Sequence, residues 1–189
     1  MTHSIARVSN TKQQIRFVLV IFLLISAIEI INLLTGRVLN QLGTIPRYVP
    51  GLRGIVLGPF LHGSLQHYFS NIIPLCIFSY LLLQYGFKRY IQLTIWIILI
   101  TGFLVWLFGR PATHIGASGV IYGYFGYLVL AGFLSGKFKL MLISVLVAFF
   151  YGGLIFSILP TTPFVSWESH LFGFIAGLAG AKLWAKPSP

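Results

Sequence analysis

Apolar residues in this chain fall into long unbroken runs, and polar residues gather between them. Runs at 15–34, 67–86, 91–109, 116–134, 138–159 and 168–184 each approach the ~20 residues a helix needs to cross the hydrocarbon of a bilayer. The pattern predicts an all-α polytopic membrane protein: one six-transmembrane-helix bundle over 15–184, with a short tail at 1–14 and another at 185–189. The stretch at 35–66 is too long for a tight connection. It mixes Pro46, Pro50 and Pro59 with apolar stretches such as Ile55-Val56-Leu57 and Phe60-Leu61. It reads as a structured loop in the outer interface, with Tyr48 and the arginines as anchors.

Composition agrees. Hydrophobic residues make up 57% of the chain and charged residues 8%, and the mean hydropathy is +0.91. Soluble domains carry about 25% charged residues, so an ordinary globular or disordered protein is excluded. The net charge of +11 does not point to nucleic acid, because the cations flank the apolar runs and form no basic face interleaved with aromatics. Arg7, Lys12, Arg16, Lys88, Arg89, Lys137, Lys139, Lys182 and Lys186 fall on one side, against Arg37, Arg47, Arg53 and Arg110 on the other. That bias places both termini in the cytoplasm. The first run is too long for a signal-peptide core and lacks a clean small-residue cleavage site, so it reads as retained. With no organelle-type presequence, a bacterial plasma membrane is the expected location.

Aspartate is absent, and the only carboxylate side chains are Glu29 and Glu168. Paired-aspartate proteolysis, carboxylate-rich Mg²⁺ or Ca²⁺ sites and carboxylate proton relays therefore lose their parts. Cys76 is a single thiol in an apolar run and reads as packing. Neither cofactor nor metal is expected.

Polar side chains inside a membrane are costly, which makes each a functional candidate. His67 and Asn71 stand four apart on one face of the second run. Ser118 lies in Gly116-Ala117-Ser118-Gly119, with Tyr122 one turn later, and His170 opens the sixth run. The second, fourth and sixth runs share one direction, so these residues share the outer leaflet although they come from three helices. Gly119, Gly123 and Gly126 give the fourth run a small-residue face, as do Gly173, Gly177 and Gly180 in the sixth. Such faces let helix backbones approach closely, and that contact would bring Ser118 toward His170. A serine hydroxyl needs a base to become a nucleophile, and His170 is the best placed. Glu168, two residues away, points to another helical face, so a Ser–His dyad is what the sequence allows. The Asn71 amide, the His67 ring and the unpaired Ser118 N–H at a helix start can donate to a developing oxyanion.

At these residues the chain resembles the rhomboid family of intramembrane serine proteases. The resemblance rests on the stretch from His62 to Asn71, on Gly116-Ala117-Ser118-Gly119-Val120-Ile121-Tyr122, and on Ser166-Trp167-Glu168-Ser169-His170-Leu171-Phe172-Gly173 continuing to Gly177. It covers about 43–180. It implies a rhomboid-like six-helix bundle with a water-filled cavity open to the outside. Ser118 would be the nucleophile, His170 the general base, and His67 and Asn71 with the Ser118 amide the oxyanion hole. Tyr122 would stack on His170, Gly116 and Gly119 would support the site, and His62 and Arg47 would support the first loop. Substrates would be transmembrane segments of other membrane proteins, cleaved near their outer ends.

Three other readings compete. A transporter would use polar residues to line a path, but carboxylates are few and no internal repeat is visible. A client-binding relative without proteolysis would be expected to lack the nucleophile or the base, and this chain keeps both. A zinc protease could draw on His62, His67, His114 and His170, but HExxH is absent.

Overall fold

The computed structural model describes residues 10–160 and 165–185; residues 1–9, 161–164 and 186–189, including Arg7, Lys186 and most of both expected tails, lie outside the described residues. The described chain is helical, without a strand and with one isolated antiparallel bridge between Thr44 and His114. The helices are α1 (Thr11–Leu34), α2 (Gly54–Leu57), α3 (Leu65–Leu83), α4 (Phe87–Phe108), α5 (Ser118–Ser135), α6 (Phe138–Tyr151) and α7 (Trp167–Trp184). Tighter 3₁₀ turns occupy Val38–Leu42, Val49–Arg53, Gly58–Phe60 and Gly152–Ile158.

Local chemistry explains where the elements differ from the apolar runs. α1 begins at Thr11, ahead of the run at 15, because the Asn10 side chain accepts from the Lys12 N–H at 3.0 Å and caps the helix. The fifth run divides: α6 ends at Tyr151, and Gly152-Gly153, poor helix formers, lead into the 3₁₀ turn. In the long loop, Pro50 and Pro59 each sit in the first positions of a 3₁₀ turn, where a missing N–H costs nothing. Four helices are long and apolar enough to cross a membrane: α1, α4, α5, and α6 with its 3₁₀ extension. α3 carries Gln66, His67, Ser70 and Asn71, and α7 carries Glu168, Ser169, His170 and Lys182, which lower their apolarity.

α5 is the centre of the bundle. Its Tyr124, Tyr127, Leu128 and Ala131 are fully buried, with α7, α6, α3 and α4 around it and α1 outside on α3. α1 exposes Ile15, Leu19, Val20, Leu23, Leu24 and Ile30, a face suited to lipid. The α5–α7 seam is made by glycine. A side chain on Gly173 would run into the Gly119 carbonyl, one on Gly177 into the Gly123 carbonyl, and one on Gly126 into the Phe174 carbonyl. Gly180, expected on the same seam, instead faces Leu93. α4 closes on α7 at this end, with Trp96 Nε1 donating to the Ala176 carbonyl at 3.0 Å and the Trp96 ring set edgewise on Trp184.

Two polar anchors help to tie down the first loop. Arg47, in a left-handed conformation (φ 58°), donates its backbone N–H to Trp106 O at 2.9 Å and its guanidinium to Leu107 O and Gly109 O at 3.2 and 2.9 Å. These carbonyls end α4 and have no partner inside the helix. The second anchor is a buried polar cluster. The Arg37 guanidinium pairs with Glu29 of α1 at 3.0 Å, and the His62 carbonyl accepts from Arg37 at 2.6 Å, Asn40 at 3.2 Å and Asn32 at 3.4 Å. The His62 ring is fully buried, with Nδ1 3.9 Å from Glu29 and its edge against His67 and Tyr68. Burial, with His67 and Arg37 nearby, lowers its pKa to about 3. Arg37 therefore balances Glu29, and His62 stays neutral.

Two outcomes are expected. Gly177→Leu should cost more than about 3 kcal/mol, because the colliding atom is backbone, and the variant should fail to give a monodisperse melting species in detergent. Gly153→Ala, with nothing within 4 Å of the added carbon, should leave the melt unchanged. For His62, an unfolded chain takes up a proton below its ordinary pKa of 6.5, and the folded chain refuses it down to about 3. Stability should therefore fall as pH drops through that window, by a few kcal/mol at about 1.4 kcal/mol per unit. His62→Gln should flatten the dependence of the melting temperature on pH between 7.5 and 4; an unchanged slope would refute the assignment.

Candidate active site

Ser118 sits at the first position of α5, on a connection from α4 that the first loop holds in place. Thr44 and His114 exchange both backbone hydrogen bonds, at 3.0 and 2.8 Å, and the Gly116 N–H donates to the Gly58 carbonyl at 2.9 Å. Gly116 has φ +114°, a conformation side chains oppose, and a carbon added there would stand 2.6 Å from His67 Nε2. Only glycine meets both conditions. Ile115 turns its side chain toward Gly43 and Gly63 of the first loop, where the missing side chains make room for it. Ser118 itself is half-buried, and the N–H groups of the first turn of α5 have no intrahelical acceptor.

His170, in the first turn of α7, is buried at 7% exposure. Its ring lies flat against Tyr122, with centroids 4.0 Å apart and planes 5° from parallel. Its Nδ1 is 2.9 Å from the carbonyl of Ser157, in the 3₁₀ turn after α6. A carbonyl only accepts, so Nδ1 carries the proton and the neutral ring leaves Nε2 as a bare acceptor. Glu168 does not take part. It faces Arg110, accepting from the Arg110 N–H at 3.2 Å and lying 3.6 Å from its guanidinium.

His67 has the opposite tautomer. The Gly63 N–H points to its Nδ1 at 3.4 Å, which makes Nδ1 the acceptor and Nε2–H the donor, on the side where Gly116 passes. Asn71 lies one turn further along α3. Its amide nitrogen donates to the His67 carbonyl at 2.7 Å and more loosely to Ser70 Oγ at 3.4 Å, which fixes the amide orientation, and among the described residues its Oδ1 has no partner. The structure thus brings His170 to Tyr122, His67 to Gly116, and Gly119 to the α5–α7 seam. It draws no direct hydrogen bond between Ser118 and His170, although Gly119 and Ser169, their chain neighbours, meet across the seam. Catalytic hydrogen bonds are often loose until substrate binds. Among the described residues, no three His, Cys, Asp or Glu side chains cluster closely enough to hold a metal ion.

Sequence reasoning missed three groups. The Ser157 carbonyl left no signal, since every residue has one. Glu29 did leave one, an ionisable side chain within an apolar run, with Arg37 just beyond it. His114 was weighed only as a possible metal ligand.

The Rhomboid domain family matches residues 51–186. An uncharacterized protein of Mycobacterium tuberculosis is 34% identical over 173 residues, covering 87% of this chain and 72% of the relative, and one of Mycobacterium bovis matches equally. An uncharacterized protein of Mycobacterium leprae is 32% identical over 179 residues, 90% of this chain and 71% of its own. This chain belongs to the rhomboid family.

Proposed function

We propose that this protein is an intramembrane serine endopeptidase that cuts transmembrane segments of other membrane proteins near their outer ends through a Ser118–His170 dyad. The observation that carries the reading is the ring of His170, stacked on Tyr122 with Nδ1–H held by the Ser157 carbonyl. A base that must take a proton at Nε2 needs that tautomer, and a carboxylate supplies it in serine proteases with a triad. Here a backbone carbonyl and an aromatic face do so.

In this mechanism the Ser118 hydroxyl attacks the scissile carbonyl as its proton passes to His170 Nε2. The developing oxyanion is met by the Ser118 N–H, His67 Nε2–H and the Asn71 amide, which exchanges its long bond to Ser70 Oγ for the oxyanion, each such donor being worth roughly 2.7–4 kcal/mol. His170 then returns the proton to the leaving amine, and water activated by the same ring hydrolyses the acyl-enzyme. A helix in lipid satisfies its own backbone groups, so segments with helix-weakening residues should unwind into the site most readily.

The same reading sets the membrane arrangement. α3 and α7 join the four strongly apolar helices as crossings, because Asn71 and His170 are buried at the site and Glu168 is buried against Arg110. Both termini then lie in the cytoplasm, and the site opens to the outer face of a bacterial plasma membrane.

The test is cleavage, in detergent and in liposomes, of a single-span substrate with a helix-weakening outer end. Ser118→Ala should lower the rate by at least about 10³-fold while melting like wild type, since alanine fits a small-residue face. His170→Ala should remove both cleavage and fluorophosphonate labelling of Ser118; labelling that persists would mean another base. A well-folded wild type that neither cleaves nor takes the label would favour a client-binding role.

A further inference from the structure

His114 joins the segment that carries Ser118 to the helix that carries His170. Its ring is buried at 5% exposure and bonded at both nitrogens. Nε2 lies 3.1 Å from the Arg110 carbonyl, and Nδ1 lies 2.6 Å from Ser166 Oγ. The carbonyl cannot donate, so Nε2 carries the proton and Nδ1 accepts from the Ser166 hydroxyl. Ser166 Oγ is then left to accept from Ser169 Oγ, 2.7 Å away. Each group in this chain has one role and no conflict.

Both ends of the chain lie beside reacting groups. On one side, His114 precedes Gly116 and Ser118 in a segment clamped through Thr44. On the other, the Ser166 carbonyl accepts the His170 N–H at 3.3 Å, and Ser169 is the chain neighbour of His170. Ser169 also faces Gly119, its carbonyl oxygen 3.5 Å and its Cβ 3.6 Å from where a side chain on that glycine would begin. Arg110 runs alongside, held by Glu168 and donating to the Val165 carbonyl.

We infer that His114 is a positioning residue whose neutral ring, through Ser166 and Ser169, fixes the register of the Ser118 segment against the first turn of α7. The inference rests on the protease reading for its effect on rate, but the relay has a physical signature of its own. Burial, with the Arg110 guanidinium adding to it, lowers the His114 pKa, while the Arg110 carbonyl and Glu168 oppose the shift. A neutral ring serves the relay because protonated Nδ1 would donate to Ser166 and reverse the chain.

The experiment joins a double-mutant cycle to nitrogen NMR. His114→Leu removes both bonds, His114→Asn keeps an acceptor near the Nδ1 position, and Ser166→Ala breaks the link from the other end. Expected are a 10- to 100-fold fall in kcat with KM little changed for His114→Leu and for Ser166→Ala, and substantial recovery for His114→Asn. Adding Ser166→Ala to His114→Leu should cost little more, because one link is broken twice. If His114→Leu does not fold, the cycle is run with His114→Asn, whose partial loss should deepen to that of Ser166→Ala alone when Ser166→Ala is added. Independent multiplication of the two effects, or unchanged kcat in a folded His114→Leu, overturns the inference. In ¹⁵N-histidine-labelled protein at neutral pH, the His114 resonances should report Nε2–H, and Ser166→Ala should move the bare Nδ1 signal. An Nδ1–H tautomer overturns the relay whether or not the protein cleaves anything. A wild type inert toward substrate and probe, with the expected His114 spectrum, would overturn the protease reading and leave the relay standing.

Discussion

The close approach of α5 and α7 is the constraint on which the remaining geometry depends. Where glycine meets a facing backbone carbonyl, at Gly173 on Gly119 and Gly177 on Gly123, two helices touch without intervening side chains. Lipid offers little hydrophobic drive for helices to associate, so packing of this kind carries the association. Once the seam is set, Tyr122 one turn along α5 has its face against His170 in the first turn of α7. The other helices fill in around a centre that is already fixed. α1, on the outside, touches the bundle chiefly through α3, with Ser26 and Tyr68 sharing a hydrogen bond at 2.6 Å.

A second regularity concerns His67, His114 and His170, whose tautomers are set by backbone groups. The Ser157 carbonyl puts the proton of His170 on Nδ1, the Arg110 carbonyl puts that of His114 on Nε2, and the Gly63 N–H leaves His67 with its proton on Nε2. Carboxylates often perform this task, and this chain has only two. Peptide groups do it at no cost in charge, which suits a low-dielectric setting where an ionised side chain must be paired. The arrangement also makes each ring report the position of a loop or a helix end.

Much of this could be read from the residues alone. The runs located the long helices, the glycine spacing found the α5–α7 contact, and Ser118, His67, Asn71 and His170 could be singled out because polar groups in apolar runs stand out. The spacing failed at Gly180, since glycine periodicity says that a face is small but not which helix occupies it, and here α4 does. It could not divide the fifth run at Tyr151, where apolarity continues while the helix tightens. Least legible were partnerships between distant positions. Glu29, Arg37 and His62 meet through a loop whose path is fixed by tertiary bonds, and the Ser157 carbonyl acts through an atom common to all residues.

The four arginines of the loop end have a different significance once the chain is folded. Arg37 and Arg110 face Glu29 and Glu168, Arg47 closes the end of α4, and Arg53 donates to the Gln41 carbonyl at 3.2 Å. A guanidinium keeps its charge under all ordinary conditions, so none can be silenced by losing a proton. Both acidic side chains of the protein lie at this end, which brings its four positive charges to a net two. In the folded chain these arginines are internal fasteners. Carrying this end of the folded protein across a bilayer would therefore mean first undoing its loop.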